Sequence, residues 1–464
     1  MDHNVILEAL KEAVGPDQVQ VGSAIDPRYL SDWFVPIERG APLALVRPGT
    51  TRDVSDLLRV CHANRLPVVP QGGLTGLSGG ATPLDQSVLL SLERMTGIEE
   101  LDPAAATMTA RAGTPLQTIQ EAARAAGFFF PLDLGARGSC QIGGNAATNA
   151  GGNRVIRFGM MRELVLGLEA VLADGTVITS LNKMLKNNAG YDLKHLFIGS
   201  EGTLGVITRV VLRLHPEPKS VCTALCSVTD YENAVALLRH AKQGMGGALS
   251  AFEMMWPDFY ELVTRKVPGI TPPIRYGYGG YVLIEALGSD QTPDQARFEN
   301  MLQAALEQGL IEDAVIAQSR GESNALWRVR DASGEITQLL DLQAKFDISI
   351  PTNDIGRFVD ACRTAVKSRW PNSQSVSFGH IGDSNVHFNV HVGAENGEPQ
   401  DAALERMVYD MVRDWKGSIS AEHGIGLLKR DYLGHSRTPE EIQLMRTLKR
   451  TLDPYGILNP GKVL

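Results

Sequence analysis

Cysteine is scarce in this chain of 464 residues: only Cys61, Cys140, Cys222, Cys226 and Cys362 occur. An odd number with no CxxC pair excludes a paired disulfide framework and leaves no cysteine set for zinc. Reduced thiols follow, and with them the expectation of a cytoplasmic location. Basic charge is also short. Lys and Arg number 44 against 53 Asp and Glu, a net charge of −9, and such a chain lacks the basic face that nucleic acid requires. No run approaches the roughly 18 apolar residues of a membrane span. The N-terminal MDHNVILEALKEAVG alternates charged and apolar residues at helical spacing. It has no basic segment leading into an apolar core, so no secretory signal is expected. Internal repeats and low-complexity tracts are missing as well.

Glycine is what the chain has in quantity, 47 residues, and it is concentrated. In Leu66 to Ala81, LPVVPQGGLTGLSGGA, a short apolar run stops at Pro70 and enters a loop holding Gly72, Gly73, Gly76, Gly79 and Gly80. Glycine lets another molecule approach the backbone closely, and successive N–H groups in such a loop form a concave anion site. A phosphate-bearing ligand is therefore expected; a flexible linker would be richer in Ser and Lys. The segment after the loop, SVLLSL (87–92), is β-like. A dinucleotide-binding Rossmann loop opens a helix and is followed by an acidic residue about 20 positions on, so a nicotinamide cofactor is disfavoured. Two further glycine-rich stretches, 131–152 and 198–208, sit beside β-like segments. Three such loops in one region suggest a long ligand lying along one domain.

The rest is ordinary α and β texture. A strand over 43–47 and a helix over 51–64 precede the first loop, and Asp174-Gly175 marks a hairpin turn after 165–173. Beyond Pro218 the glycine thins out. Strands (281–285 and 343–350) alternate with helical patterns (231–242, 295–308 and 354–367), a second α+β domain. The expected boundaries are 1–217, 218–416 and a C-terminal segment, 417–464.

Two stretches offer chemistry. In GHIGDSNVHFNV (379–390), turn residues 382–385 between β-like ends predict a hairpin in which Ile381 pairs with Val386. His380 then lies opposite His387, near enough for two imidazoles to share a metal ion, and Asn389 projects from the face of His387. Two histidines satisfied by other hydrogen bonds fit this spacing equally well. In SISAEHGIG (418–426), Glu422 and His423 face opposite ways on an extended backbone. One could bind an ion and the other act as an acid or base; an exposed loop pair is the plainer alternative. Lys345 alternates away from Phe346, Ile348 and Ile350, and Arg330 follows Trp327 in WRVRD. Either is a carboxylate clamp or, alternatively, a solvated surface charge or a member of an ion pair.

Taken together, PQGGLTGLSGGA (70–81), PLDLGARGSCQIGGNAATNAGG (131–152), NNAGYDLKHLFIGSEGTLGVIT (187–208), GHIGDSNVHFNV, SAEHGIG (420–426) and DPYGILNPGK (453–462) resemble flavoproteins of the vanillyl-alcohol-oxidase type. Within that family they look like the FAD-dependent D-2-hydroxyacid dehydrogenases. The resemblance covers nearly the whole chain, and NNAGYDLKHLF is nearer to the 2-hydroxyglutarate branch than to the lactate branch.

The resemblance implies an α+β fold: an FAD-binding domain of the p-cresol methylhydroxylase (PCMH) type, plus an α+β substrate or cap domain with an antiparallel sheet. FAD would be held by Pro70, Gln71, Gly72, Gly73, Leu74, Thr75, Gly76, Gly79 and Gly80 of the first loop. Pro131, Asp133, Gly138, Ser139, Gly143, Gly144, Asn145, Thr148, Asn149 and Gly152 of the second would join them, with Glu201, Gly202, Gly205, Ile207 and Asn459. The first loop contains no His or Cys, and Cys61 and His62 lie in the preceding helix, so the FAD is expected to be non-covalent. By the same resemblance His380, His387 and Glu422 bind a divalent metal, zinc in most members, and His423 is the catalytic base. Arg330, Lys345 and Asn389 match substrate-binding positions. The implied reaction is oxidation of D-2-hydroxyglutarate between the two domains, with electrons passed to an electron-transfer flavoprotein or similar acceptor; a homodimer is a further expectation. D-Lactate, D-malate or glycolate, and a non-catalytic flavin-carrying subunit, are the alternatives. After Arg330 the chain reads DASGE, where only Ser333 replaces the threonine hydroxyl usual in 2-hydroxyglutarate enzymes.

Overall fold

The computed structural model describes residues 3–33, 40–340, 344–395, 398–399 and 401–464. Gln343, the first residue of one expected strand, and part of the loop before Pro42 lie outside these. The chain divides into two compact units. The first comprises residues 1–152, 159–217 and 422–464; the second comprises 153–158 and 218–421. No helix among the described residues is long and apolar enough to cross a membrane.

The first unit contains β1 (Val19–Gln20), β2 (Ala44–Val46), β3 (Val68–Gln71) and β4 (Val88–Ser91), ordered β1-β2-β4-β3. The pairs β2·β4 and β3·β4 are parallel, which requires a crossover between β2 and β3. The helix Thr51–Asn64 supplies it. Thr50 and Asp53 close a reciprocal capping box at its start, and its buried side chains Val54, Leu57, Leu58 and Cys61 recur at helical spacing. Val46, Val68, Val88 and Leu90 share their core. The first glycine loop runs from the end of β3 and leads into β4, a strand, in line with the exclusion of a Rossmann turn.

A second sheet of this unit is built from β5 (Ile98–Asp102), β6 (Thr107–Arg111), β8 (Val165–Val171), β9 (Val177–Ser180) and β10 (Val206–Arg213), in the order β5-β6-β10-β8-β9. The short β7 (Phe128–Phe129) pairs with β11 (His215–Pro216). Gly175, at φ +83°, turns the β8–β9 hairpin. Within the second glycine stretch, 142–147 is helical.

One seven-stranded sheet forms the second unit. Its strands are β12 (Ser220–Val228), β13 (Leu249–Met255), β14 (Gly280–Gly288), β15 (Asp313–Ile316), β16 (Ala344–Ser349), β17 (Gln374–Gly379) and β18 (Asn385–His391), ordered β15-β12-β14-β13-β17-β18-β16. Every pairing is antiparallel. Both faces are covered, so β13 is buried along its whole length and β14 all but its last residue. The helices Tyr231–Met245, Gln291–Glu307 and Ile355–Arg369 extend the three helical patterns of the sequence by a few residues. Leu283 sits fully buried in β14, in the cluster that includes Phe259, Tyr260 and Trp327. Leu283→Ala is expected to destabilise the protein by about 2–5 kcal/mol, through lost burial plus a cavity. Urea unfolding followed by fluorescence measures it, and a loss below 1 kcal/mol would show that the site collapses around the change.

Candidate active site

The glycines of the first unit fall into two groups. Some are required by the protein's own packing. A Cβ on Gly73 would lie 2.1 Å from the carbonyl oxygen of Ser139, one on Gly143 would be 2.5 Å from Ala112 Cβ, and one on Gly152 would be 2.1 Å from Asp133 O. The first contact presses the two loops together backbone to backbone, the second seats the second loop on Ala112, and the third closes that loop on itself. The other group is different. A Cβ on Gly72, Gly76, Gly80, Gly138 or Gly144 would meet no protein atom closer than 3.4 Å. Internal packing does not account for the missing side chains there; close approach of a ligand does. Buried Gln71 Oε1, Gln141 Oε1 and Asn145 Oδ1 on the same loops have no protein hydrogen-bond partner, a combination that points to a polar ligand. These residues fit FAD.

The remaining expected cofactor residues sit around the same loops. Asn459, at φ +42°, donates its Nδ2–H to Gly80 O (3.2 Å) and Glu201 O (2.7 Å). Pro70 lies against Gly202, where a Cβ would come within 3.2 Å of its ring. Thr148 Oγ1 donates to Gly144 O, and Asn149 Oδ1 accepts the Arg162 N–H. Gly205 packs against Phe197, and Ile207 is buried in β10. Lys462, unnoticed in the sequence, is 2% exposed and gives Nζ–H bonds to Gly80 O, Thr82 O and Asn459 Oδ1. Burial pushes its ammonium down to about 7, opposed by Asp32 and Glu201. Cys61 is fully buried, which pushes its thiol up to about 12; neither property suits attachment chemistry.

Glu422 and His423 belong to this unit. The backbone bends at 421–423, so the extended geometry expected from sequence is replaced by a turn. The turn is tied down through neighbouring residues. The N–H groups of Ile425 and Gly426 donate to Glu201 Oε1 and Oε2 at 2.7 and 2.8 Å. Ser78 Oγ donates to His423 O, and Gly152 N–H donates to Glu422 Oε1. Burial raises the Glu201 carboxyl, and the two N–H bonds work against that. Glycine is needed at Gly424 (φ +81°) and Gly426 (φ +51°) to make the turn. The glycine loops therefore also position the Glu-His pair.

In the second unit the hairpin register differs from the expected one. Phe378, not His380, lies opposite His387. A three-residue 3-10 turn, Ile381–Asp383, follows His380, and Ser384 at φ +74° returns the chain. His380 thus leaves the strand before the turn, yet its ring centroid is 5.7 Å from that of His387. On the neighbouring strand Asp347 pairs with His387 and Lys345 with Asn389, which puts these four side chains on one face. Burial lowers the Lys345 ammonium. Ala421 is held by its N–H to Asp347 O at 3.3 Å, so the residue covalently before Glu422 is anchored beside this strand.

Sequence reasoning missed Glu253. It is fully buried in β13, and its Oε1 bonds His380 Nδ1 at 2.6 Å. Its Oε2 accepts from Arg330 Nε at 2.8 Å. Burial alone would raise this carboxyl, but His380 and Arg330 hold it down to about 2. Arg330 is itself 5% exposed, with its remaining nitrogens near Ser333 Oγ and His380 Nε2 and its guanidinium over the Phe378 ring. It is a buried, oriented cation: the solvated-charge alternative is excluded, and the ion-pair alternative is observed, with Glu253 as the partner. A lone Glu in the apolar run LSAFEMM was the available signal, since a strand buried on both faces tolerates a carboxylate only when it is paired.

Comparison with known proteins identifies the family and the fold. Residues 42–180 match the family described as "FAD binding domain", and 217–463 match "FAD linked oxidases, C-terminal domain". A mitochondrial D-2-hydroxyglutarate dehydrogenase of Arabidopsis thaliana is 41% identical over 94% of this chain and 77% of its own length. The Bos taurus protein of that name is 41% identical over 99% and 83%. The solved structure of p-cresol methylhydroxylase with substrate bound superposes with a TM-score of 0.78 at 16% identity, over 99% of this chain and 96% of that one, which shows the shared fold. The chain belongs to the FAD-linked oxidases, with the α+β, PCMH-type fold. Within them it is an FAD-dependent D-2-hydroxyacid dehydrogenase. The cytoplasmic expectation is corrected: both relatives are named mitochondrial. Its basis, reduced thiols, holds in any reducing compartment.

Gly73→Ala, which drives a methyl into the Ser139 carbonyl, is expected to cut FAD affinity at least about tenfold. Gly135→Ala, where a Cβ meets nothing within 4 Å, should leave it unchanged. Flavin-to-protein absorbance ratios after dialysis report both; equal retention by the two variants would remove the packing argument.

Proposed function

We propose that the protein oxidises D-2-hydroxyglutarate to 2-oxoglutarate, with a divalent metal at His380, His387 and Glu422 and His423 as the base. The observation that carries this reading is the buried set in the second unit. Two imidazoles are paired there, and Glu253 satisfies the Nδ1 of one, the usual support of a metal-bound histidine. Beside them stand Arg330, Lys345 and Asn389, a cationic and polar group suited to a small carboxylate. The named activity of the Arabidopsis and bovine relatives supports the substrate. Glu422 as the third ligand is supported by the resemblance of SAEHGIG (420–426) to the family's motif.

Held by the glycine loops, FAD would supply the acceptor for the substrate Cα hydride, and a divalent ion at His380, His387 and Glu422, zinc by resemblance, would supply Lewis-acid polarisation of the 2-hydroxyl. The protein's own groups do the rest. Arg330 presents its outer N–H groups to a carboxylate, while Lys345 supplies a second cation for a diacid. Asn389 orients the hydroxyl end, and His423 takes the hydroxyl proton on a ring nitrogen. Burial around Arg330 and His380 strengthens each of these interactions. The FAD is non-covalent, supported by the lack of His and Cys in the first loop, and the electrons leave to a protein acceptor of the electron-transfer flavoprotein kind.

Anaerobic mixing with D-2-hydroxyglutarate, D-malate, D-lactate and glycolate should bleach the flavin fastest with D-2-hydroxyglutarate; faster bleaching by a monoacid would overturn the substrate assignment. His423→Ala is expected to retain FAD and to slow bleaching about 10²–10⁴-fold, and an undiminished rate would remove His423 as base. Dialysis against EDTA should abolish turnover and added Zn²⁺ restore it. Full activity in metal-free protein would reject the metal.

A further inference from the structure

Glu253 uses its two oxygens on two different functional groups. Oε1 is 2.6 Å from His380 Nδ1, and Oε2 accepts Arg330 Nε at 2.8 Å. The carboxylate is fully buried, and its partners are 5% exposed, so no solvent competes for these bonds. An ionised carboxylate only accepts hydrogen bonds, so the short contact to Nδ1 requires the proton on that nitrogen. His380 Nε2 is then left with its lone pair. The 3.3 Å approach of Arg330 Nη2 to Nε2 agrees, because a guanidinium only donates. The same carboxylate holds Arg330 by its inner nitrogen. Nη1 and Nη2 then lie against Ser333 Oγ and His380 Nε2, each at 3.3 Å.

We propose that Glu253 is a positioning residue that selects the Nδ1-protonated tautomer of His380 and, through its other oxygen, fixes the direction in which Arg330 presents its guanidinium. It acts through His380 and Arg330 and touches neither substrate nor cofactor. The proposal rests on the reading of His380 as a metal ligand and Arg330 as a carboxylate clamp. Its added content is that one buried carboxylate couples the two. Ligand basicity and substrate orientation then change together when it is altered, although it lies on β13 and the histidines flank the turn between β17 and β18.

The test uses FAD-loaded protein stripped of metal, with Zn²⁺ titrated in competition with a chromogenic chelator. Glu253→Gln should weaken Zn²⁺ binding about 10–100-fold, with flavin content unchanged. Glu253→Asp keeps the charge and should restore part of the loss. In a His380→Ala background, Glu253→Gln should have no further effect on Zn²⁺ affinity, which a general structural defect would not reproduce. The Arg330 arm is read without metal, as weaker binding of 2-oxoglutarate to Glu253→Gln by flavin difference spectra. Wild-type Zn²⁺ affinity in Glu253→Gln, or an equal loss with and without His380, overturns the proposal while leaving the proposed function standing. Wild-type protein that binds no Zn²⁺ overturns the metal reading itself, and with it the role proposed for Glu253 in tuning a metal ligand. Should Glu253→Gln fail to fold, Glu253→Asp alone decides, since unchanged affinity there in the presence of a shortened side chain refutes the geometry.

Discussion

A carboxylate buried in an apolar sheet must be neutralised, and the second unit meets that constraint twice on adjacent strands. Glu253 on β13 pairs with Arg330. Glu285 on β14 pairs with Arg154 at 2.9 Å and also accepts Ser250 Oγ–H and Trp327 Nε1–H. Trp327 and Arg330 lie on one helix, Arg320–Asp331, so two buried glutamates pin it at successive turns. Removing Glu253 would strand the buried guanidinium of Arg330, a far larger cost than the net worth of the pair. The position of Arg330 therefore depends on charge balance more than on helix packing.

The first unit reaches similar rigidity by another route. There the fixed points are backbone groups. Glycine lets the first loop lie against Ser139 O, and Glu201, Ser78, Asn459 and Lys462 bond carbonyls and N–H groups rather than one another's charges for the most part. A loop built this way holds its shape without bulky side chains, which leaves its surface open to a flat ligand. The same residues grip the Glu422-His423 turn, so cofactor cradle and candidate base share one framework.

Local physics made much of this legible from sequence. The helix 51–64 was readable because its buried residues recur at helical spacing behind a capping box, and the glycine loops because a cluster of that residue has few other uses. His380, His387, Glu422 and His423 stood out as residue types with chemistry. Glu253 and Glu285 did not: a lone acid in an apolar run signals that a partner is needed, but their partners are 77 and 131 residues away, so which residue meets it has no local pattern. The histidine hairpin was misread by register: residues 382–385 looked like a four-residue loop, but the chain makes a 3-10 turn and reverses at Ser384.

By itself, then, the sequence determined where the chain approaches a cofactor closely, where strands and helices start, and which side chains can exchange protons or hold an ion. These depend on backbone freedom, periodicity and side-chain chemistry, all local properties. Only the tertiary structure decided which buried acid meets which base, which imidazole nitrogen faces that acid, and which glycines serve packing rather than the ligand. Those outcomes follow from desolvation and from contacts between distant segments, and neither is written in any short stretch of residues.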